Sequence, residues 1–236
     1  MKNFILASTS TVHGSEYLTY LADEINTLFE GVKEIIFVPY ARPSGISHDD
    51  YTSIANKFFT NLGIHVKGLH LSSNPKQTLQ DADGIFVGGG NTFLLVKTLY
   101  DMDLISTLKQ KIHSGTPYLG TSAGSNIAGL NIKTTNDMPI VYPPTFDTLG
   151  IIPFNINPHY LDPDPNSTHK GETRETRILE FLTQNNVIVI GIREGNWIRG
   201  KGELLTIEGK LDTRIFSPKK EPFELKPGSD LLQLLD

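Results

Sequence analysis

Short apolar runs alternating with helix-periodic segments constrain this chain more than any other feature. Residues 3–7, 34–38, 66–71, 84–87, 117–120 and 187–192 read as strands. Between them, residues 16–29, 48–62, 75–82, 91–100, 104–113 and 173–183 read as helices. The helical spacing places Leu18, Leu21, Ile25 and Leu28 on one face, Tyr51, Ile54, Phe58 and Leu62 on a second, and Ile178, Leu179 and Leu182 on a third. The run Ile35, Ile36, Phe37 and Val38 is apolar at every position, as a strand covered on both sides must be. Strands joined through helices pair in parallel, so the expected fold is α/β, a mostly parallel sheet sandwiched by helices. Beyond residue 130 the pattern loosens, with strands expected at 138–141 and 151–157. From Trp197 onward, short glycine-bounded strands predict an antiparallel C-terminal edge. No linker, repeat or low-complexity stretch divides the chain, so residues 1–236 are expected to form a single α/β domain.

Composition narrows the chemistry. The chain has no cysteine, which removes disulfides, thiolate nucleophiles and cysteine metal sites together. The net charge of -5 comes without any basic stripe, so no nucleic-acid partner is expected. The apolar run at residues 4–7 is too short for a signal core or a membrane span, and the expected location is the cytoplasm. No His-x-x-x-His or His-Glu-x-x-His spacing occurs, so neither a metal nor a cofactor is expected.

The strand at 117–120 runs into Gly120-Thr121-Ser122-Ala123-Gly124, with a helix expected from about Ser125. Gly-x-Ser-x-Gly is the pattern of a nucleophile elbow. A serine on so tight a turn takes a strained backbone that bulky neighbours would obstruct, and its Oγ is lifted clear of the sheet. The following helix aims its first N–H groups at any anion formed beside Oγ. The same residues also fit a plain strand-to-helix junction with a capping serine.

In open parallel sheets ligands bind beyond the carboxyl ends of the strands. Gly88-Gly89-Gly90, Ser122, His159 and Glu194 all follow expected strands, so one sheet edge could gather them. Backbone N–H groups of Gly89 and Gly90, with that of Ala123, could form an oxyanion hole. The alternative, a phosphate loop, lacks both Gly-x-Gly-x-x-Gly and Gly-Lys-Ser/Thr. Of the seven histidines, at 13, 48, 65, 70, 113, 159 and 169, His159 is the candidate base, held stiff by Asn157-Pro158. Glu194 or Asp137 could orient it; their plainer readings are a solvated turn residue and a turn former.

Six segments, in order and at approximately kept spacing over residues 34–200, resemble the peptidase E family of α-aspartyl dipeptidases. They are Val87-Gly88-Gly89-Gly90-Asn91-Thr92-Phe93, Ser122-Ala123-Gly124 and the run from Thr134 to Val141 that holds Asp137. The others are Ile156-Asn157-Pro158-His159, the run from His169 to Glu175, and Glu194-Gly195-Asn196-Trp197. Residues 201–236 match only loosely.

The resemblance implies a class I glutamine-amidotransferase-like (flavodoxin-like) sandwich. It implies a serine peptidase that cleaves Asp-X dipeptides through an acyl-enzyme, with Ser122 as nucleophile and His159 as base. Glu194 is the favoured triad acid. Asp137 is the other candidate, or else binds the substrate ammonium group. Arg174 is implied as the cation for the aspartyl β-carboxylate, against a plainer role in surface ion pairs with Glu172 or Glu175. A dipeptide is the implied partner, and a homodimer is left open. Thr121 replaces a residue that is often a bulky aromatic in the family, which implies a different pocket wall. Residues 160–168, rich in Asp and Pro, suggest a mobile cover. Two other functions remain: hydrolysis of β-linked aspartyl material such as cyanophycin, and non-catalytic binding of a nucleotide or acidic small molecule.

Overall fold

The computed structural model describes all residues except Pro165, Ser167, His169, Lys219 and Asp236. Five parallel strands form its centre: β1 (Asn3–Ala7), β2 (Glu34–Val38), β3 (His65–Gly68), β4 (Ile85–Val87) and β5 (Tyr118–Thr121). β8 (Trp197–Lys201) and β9 (Leu204–Glu208) add antiparallel beside β1, giving the order β3-β2-β4-β5-β1-β8-β9. The expected antiparallel C-terminal edge is therefore present.

Alternation along the strands builds two cores. On one face Ile5, Ala7, Ile35, Phe37, Phe86 and Leu119 pack against α1 (Ala22–Leu28) and α2 (His48–Thr60). On the other, Leu6, Val38 and Val87 pack against α3 (Pro75–Gln80), α4 (Thr92–Asp101) and α5 (Ile105–Ser114).

A second sheet departs from the expectation of one. β6 (Asn155–Asn157), β7 (Val189–Gly191), β10 (Thr213–Phe216) and β11 (Phe223–Leu225) pair in the order β11-β10-β7-β6. The β8–β9 hairpin already occupies the flank of β1, so β6 and β7 pair with each other and with β10 instead. Ile156, Ile190 and Ile215 of this sheet share a core with Leu6 and Val87 of the first. No helix among the described residues is long and apolar enough to cross a membrane.

Several local expectations need correction. The segment 16–29 is not one helix: Leu18 donates its N–H to Ser10 O and sits at φ 58°, so helical structure begins only afterwards. Ile54 and Leu179 are exposed; Tyr51, Ala55 and Phe58 face the core in α2, and Ile178 does so in α7 (Arg174–Gln184). Residues 138–141 form no strand, because prolines at 139, 143 and 144 remove ladder donors. The strand expected over 151–157 is only β6, since Ile151 and Ile152 donate their N–H groups to Ala128 O instead. The helix after the elbow, α6 (Ala123–Asn126), starts at once rather than near Ser125 and is one turn long.

Candidate active site

The elbow is built by close backbone approach. A Cβ on Gly124 would lie 2.1 Å from Val87 O, and one on Gly120 would lie 2.5 Å from Gly124 O. With both hydrogens in place, β4, β5 and α6 nest together and Ser122 is forced to φ 52°, ψ -108°. Such a conformation costs a serine about 1–3 kcal/mol and persists only when the surroundings over-determine it. Here they do. Ser122 N–H donates to Ala7 O at 3.1 Å. Ser125 Oγ lies 2.7 Å from Ala7 O and 2.8 Å from Gly120 O, and Tyr118 Oη donates to Gly124 O at 2.6 Å.

His159 arrives from the second sheet, just beyond β6, also at positive φ (53°). Asn126 Nδ2 donates to Ile156 O at 2.8 Å, tying the elbow helix to β6. Asn136 Nδ2 holds Pro158 O at 2.7 Å, and Asn157 Nδ2 reaches Thr134 O and Asn136 Oδ1, each at 2.9 Å. Behind His159 lies Ser8, fully buried at the end of β1. Its Oγ accepts the His159 N–H at 2.8 Å and lies 2.8 Å from Ile192 O.

The imidazole bridges the two sheets. Nε2 is 2.9 Å from Ser122 Oγ, and Nδ1 is 2.7 Å from Glu194 Oε1. Both outer groups stay partly open to solvent, with 33% of the His159 side chain and 49% of Glu194 exposed. Arg193, adjacent to Glu194, grips Asp162 and Glu224 with bidentate pairs of 2.6–2.9 Å. Those carboxylates raise its guanidinium pKa further still. The carrier of Glu194 is thus anchored by charge-assisted bonds, the strong kind.

The other candidates fall into place unevenly. Among the described residues, Asp137 makes no hydrogen bond to the His159 ring. Its Oδ2 caps α4, accepting Thr92 N–H at 2.7 Å and Thr92 Oγ1–H at 2.6 Å. Gly89 N–H is taken by Tyr51 Oη at 2.9 Å. Among the described residues, Gly90 N–H and Ala123 N–H have no such acceptor. Arg174 makes neither ion pair set against it: Glu172 pairs with Arg177 at 3.7 Å and Glu175 with Arg214 at 3.1 Å. Its Nη1 is buried without a partner. Burial lowers its pKa, with Glu194 and Tyr160 opposing and Arg177 reinforcing.

Thr121 is wholly buried in β5, so it makes no exposed pocket wall. The expected cover begins on fixed residues. Tyr160 is buried with its hydroxyl 3.1 Å from Glu175, and Asp162 is held by Arg193. Pro165, Ser167 and His169 lie outside the described residues. The sequence reading missed Ser8, Tyr51 and Asn126. Ser8 was the most accessible of these, because it directly follows a central strand on the side where ligands bind.

Known proteins give this geometry its setting. The peptidase E of Streptomyces coelicolor is 48% identical over 234 residues, covering 99% of this chain and 95% of that protein. A Drosophila melanogaster protein named "Probable alpha-aspartyl dipeptidase" is 43% identical, with coverage of 99% and 98%. The crystal structure of a peptidase from an acI-B1 Actinobacterium superposes with TM-score 0.73 over 98% of this chain and 96% of the other, at 20% identity, which supports the fold. The profile of Peptidase family S51 matches residues 4–207, a span that includes both sheets' contributions to the Ser122–His159–Glu194 chain. On that match and those identities, the chain belongs to Peptidase family S51.

Proposed function

We propose that this protein is a cytoplasmic serine dipeptidase that hydrolyses Asp-X, with Ser122, His159 and Glu194 as its triad. The observation that carries this reading is the continuous hydrogen-bonded path from Ser122 Oγ through the His159 ring to Glu194. Glu194 holds the tautomer with the proton on Nδ1, so Nε2 is free to accept the Ser122 proton as Oγ attacks the aspartyl carbonyl. The oxyanion settles on the N–H groups of Gly90 and Ala123, worth about 2.7–4 kcal/mol for each such donor. Gly89 supports this hole through Tyr51 rather than donating to it. His159 then protonates the leaving amine, and water activated by the same ring releases aspartate from the acyl-enzyme.

Arg174 takes the β-carboxylate. Support comes from its buried unpartnered Nη1, a donor left facing no protein acceptor near Glu194. Asp137 acts indirectly, by fixing the start of α4 next to the glycine loop.

The test is a panel of Asp-Leu, Asn-Leu and β-Asp-Leu, read as released leucine, alongside labelling of Ser122 by a fluorophosphonate. Asp-Leu should be cleaved far faster than the other two, with Ser122 labelled. Preference for β-Asp-Leu would move the protein to the cyanophycin type. Absence of both labelling and turnover would point to a binding protein.

A further inference from the structure

An Asp-X dipeptide carries two carboxylates, one on each side of the scissile bond, and Arg174 accounts for one. A second set of donors lies on the other flank of Ser122, on residues outside every motif considered so far. Arg42 follows β2, and its guanidinium lies over the Tyr51 ring, 4.5 Å from the centroid. Its Nε is buried and has no partner. Nε–H forms one half of the side-on fork with which arginine grips a carboxylate. The ring beneath holds the guanidinium in place without occupying that fork. Tyr17 Oη is buried too, and the hydroxyl nearest it is that of Tyr51. Burial and the neighbouring Tyr51 hydroxyl raise its pKa well above the usual range, with Arg42 opposing, so it stays protonated.

These groups are joined directly to the elbow. Tyr51 Oη accepts Gly89 N–H at 2.9 Å, and a Cβ on Gly89 would come within 2.9 Å of Ser122 Cβ. Ala41 O accepts Asn91 N–H at 2.7 Å, so Arg42 leaves from the side of the glycine loop itself. In the sheet order β2-β4-β5-β1, Arg42 follows β2, whereas the Ser8 that holds His159 follows β1, across β5. One residue past the scissile carbonyl spans only about 3.5 Å. That is within range of a long side chain two strands away, where strands are spaced about 4.8 Å. Buried donors without partners are rare, and the unpartnered Arg42 Nε, with the Tyr17 hydroxyl on the same Tyr51 side chain, calls for an anion.

We infer that Arg42 and Tyr17 form a subsite for the free C-terminal carboxylate of the second residue, restricting the enzyme to dipeptides. This inference rests on the Asp-X reading above. The experiment compares kcat/KM for Asp-Leu and Asp-Leu amide in the wild type, Arg42→Met and Tyr17→Phe. The wild type should favour the free acid by about 10- to 100-fold, the scale of a charge-assisted bond. Arg42→Met should bring that ratio close to one, mainly through KM. Tyr17→Phe should lower it several-fold, mainly through KM, with kcat on the amide unchanged.

Equal wild-type rates on acid and amide would overturn the inference while leaving the Asp-X reading intact. So would an unchanged ratio in both variants, or a loss in Arg42→Met of Asp-over-Asn preference instead. Failure of the wild type to cleave either substrate would remove the Asp-X reading, and the subsite with it. Should Arg42→Met not fold, the wild-type ratio and Tyr17→Phe decide the matter.

Discussion

The elbow and the histidine arm solve the same problem by different means. Ser122 is held by the main sheet: its strained backbone is locked between β4, β5 and β1 by close packing and main-chain bonds. His159 and Glu194 sit past the ends of two short strands in a smaller sheet and stay partly solvent-exposed. His159 is fixed by a handful of side-chain bonds across the seam, above all from Ser8 and Asn126, and the Glu194 segment by the Arg193 ion pairs. A packed interior has little freedom to shift, whereas a few polar links can be lost one at a time. Damage on the elbow side should therefore abolish chemistry, and damage on the arm side should grade it.

Four substitutions test this contrast, in descending size of effect. Ser122→Ala should cut kcat by ~10³–10⁶ with the fold intact, because a triad without its nucleophile retains only binding and oxyanion contributions. An active variant would remove the elbow from the chemistry. Glu194→Gln should lower kcat by ~10²–10⁴, by favouring the wrong imidazole tautomer. Asp137→Asn is the control here, and a larger loss there would return Asp137 to the triad. Arg174→Met should weaken the preference for Asp-Leu over Asn-Leu by roughly 2–5 kcal/mol, the cost of stranding a charge. An unchanged preference would assign the β-carboxylate elsewhere. Ser8→Ala leaves the His159 N–H without its acceptor, and should lower stability by about 1–3 kcal/mol and kcat by roughly tenfold. If only Tm moves, Ser8 is structural and the arm is stiffer than the contrast supposes.

The two regions also differed in how legible they were. The first sheet was readable because its central strands are covered on both faces and appear as short apolar runs, as at residues 35–38 and 85–87, although edge strand β3 alternates. The elbow announced itself because only small residues fit such close backbone contacts. The second sheet was not readable as a separate layer. β6 and β7 have three residues each, too few to show any period, and β10, the next partner of β7, comes some way later in the chain. His159 and Glu194 could be picked out by position and resemblance, yet their joining to Ser122 depends on pairings between distant segments. As sequence, Glu194 was favoured over Asp137 only by its place after a strand. Only folding sends Asp137 to the start of α4 and Glu194 to the imidazole.

Ser122 and His159 share one more property: both occupy backbone conformations with positive φ, where glycine is the natural tenant. Neither can be replaced by glycine without discarding the hydroxyl or the ring. A lineage selected for robustness alone would drift toward glycine at both sites and gain a sturdier, inert protein. The tension in these two peptide units is a running tax on the fold, maintained only as long as turnover matters to its host.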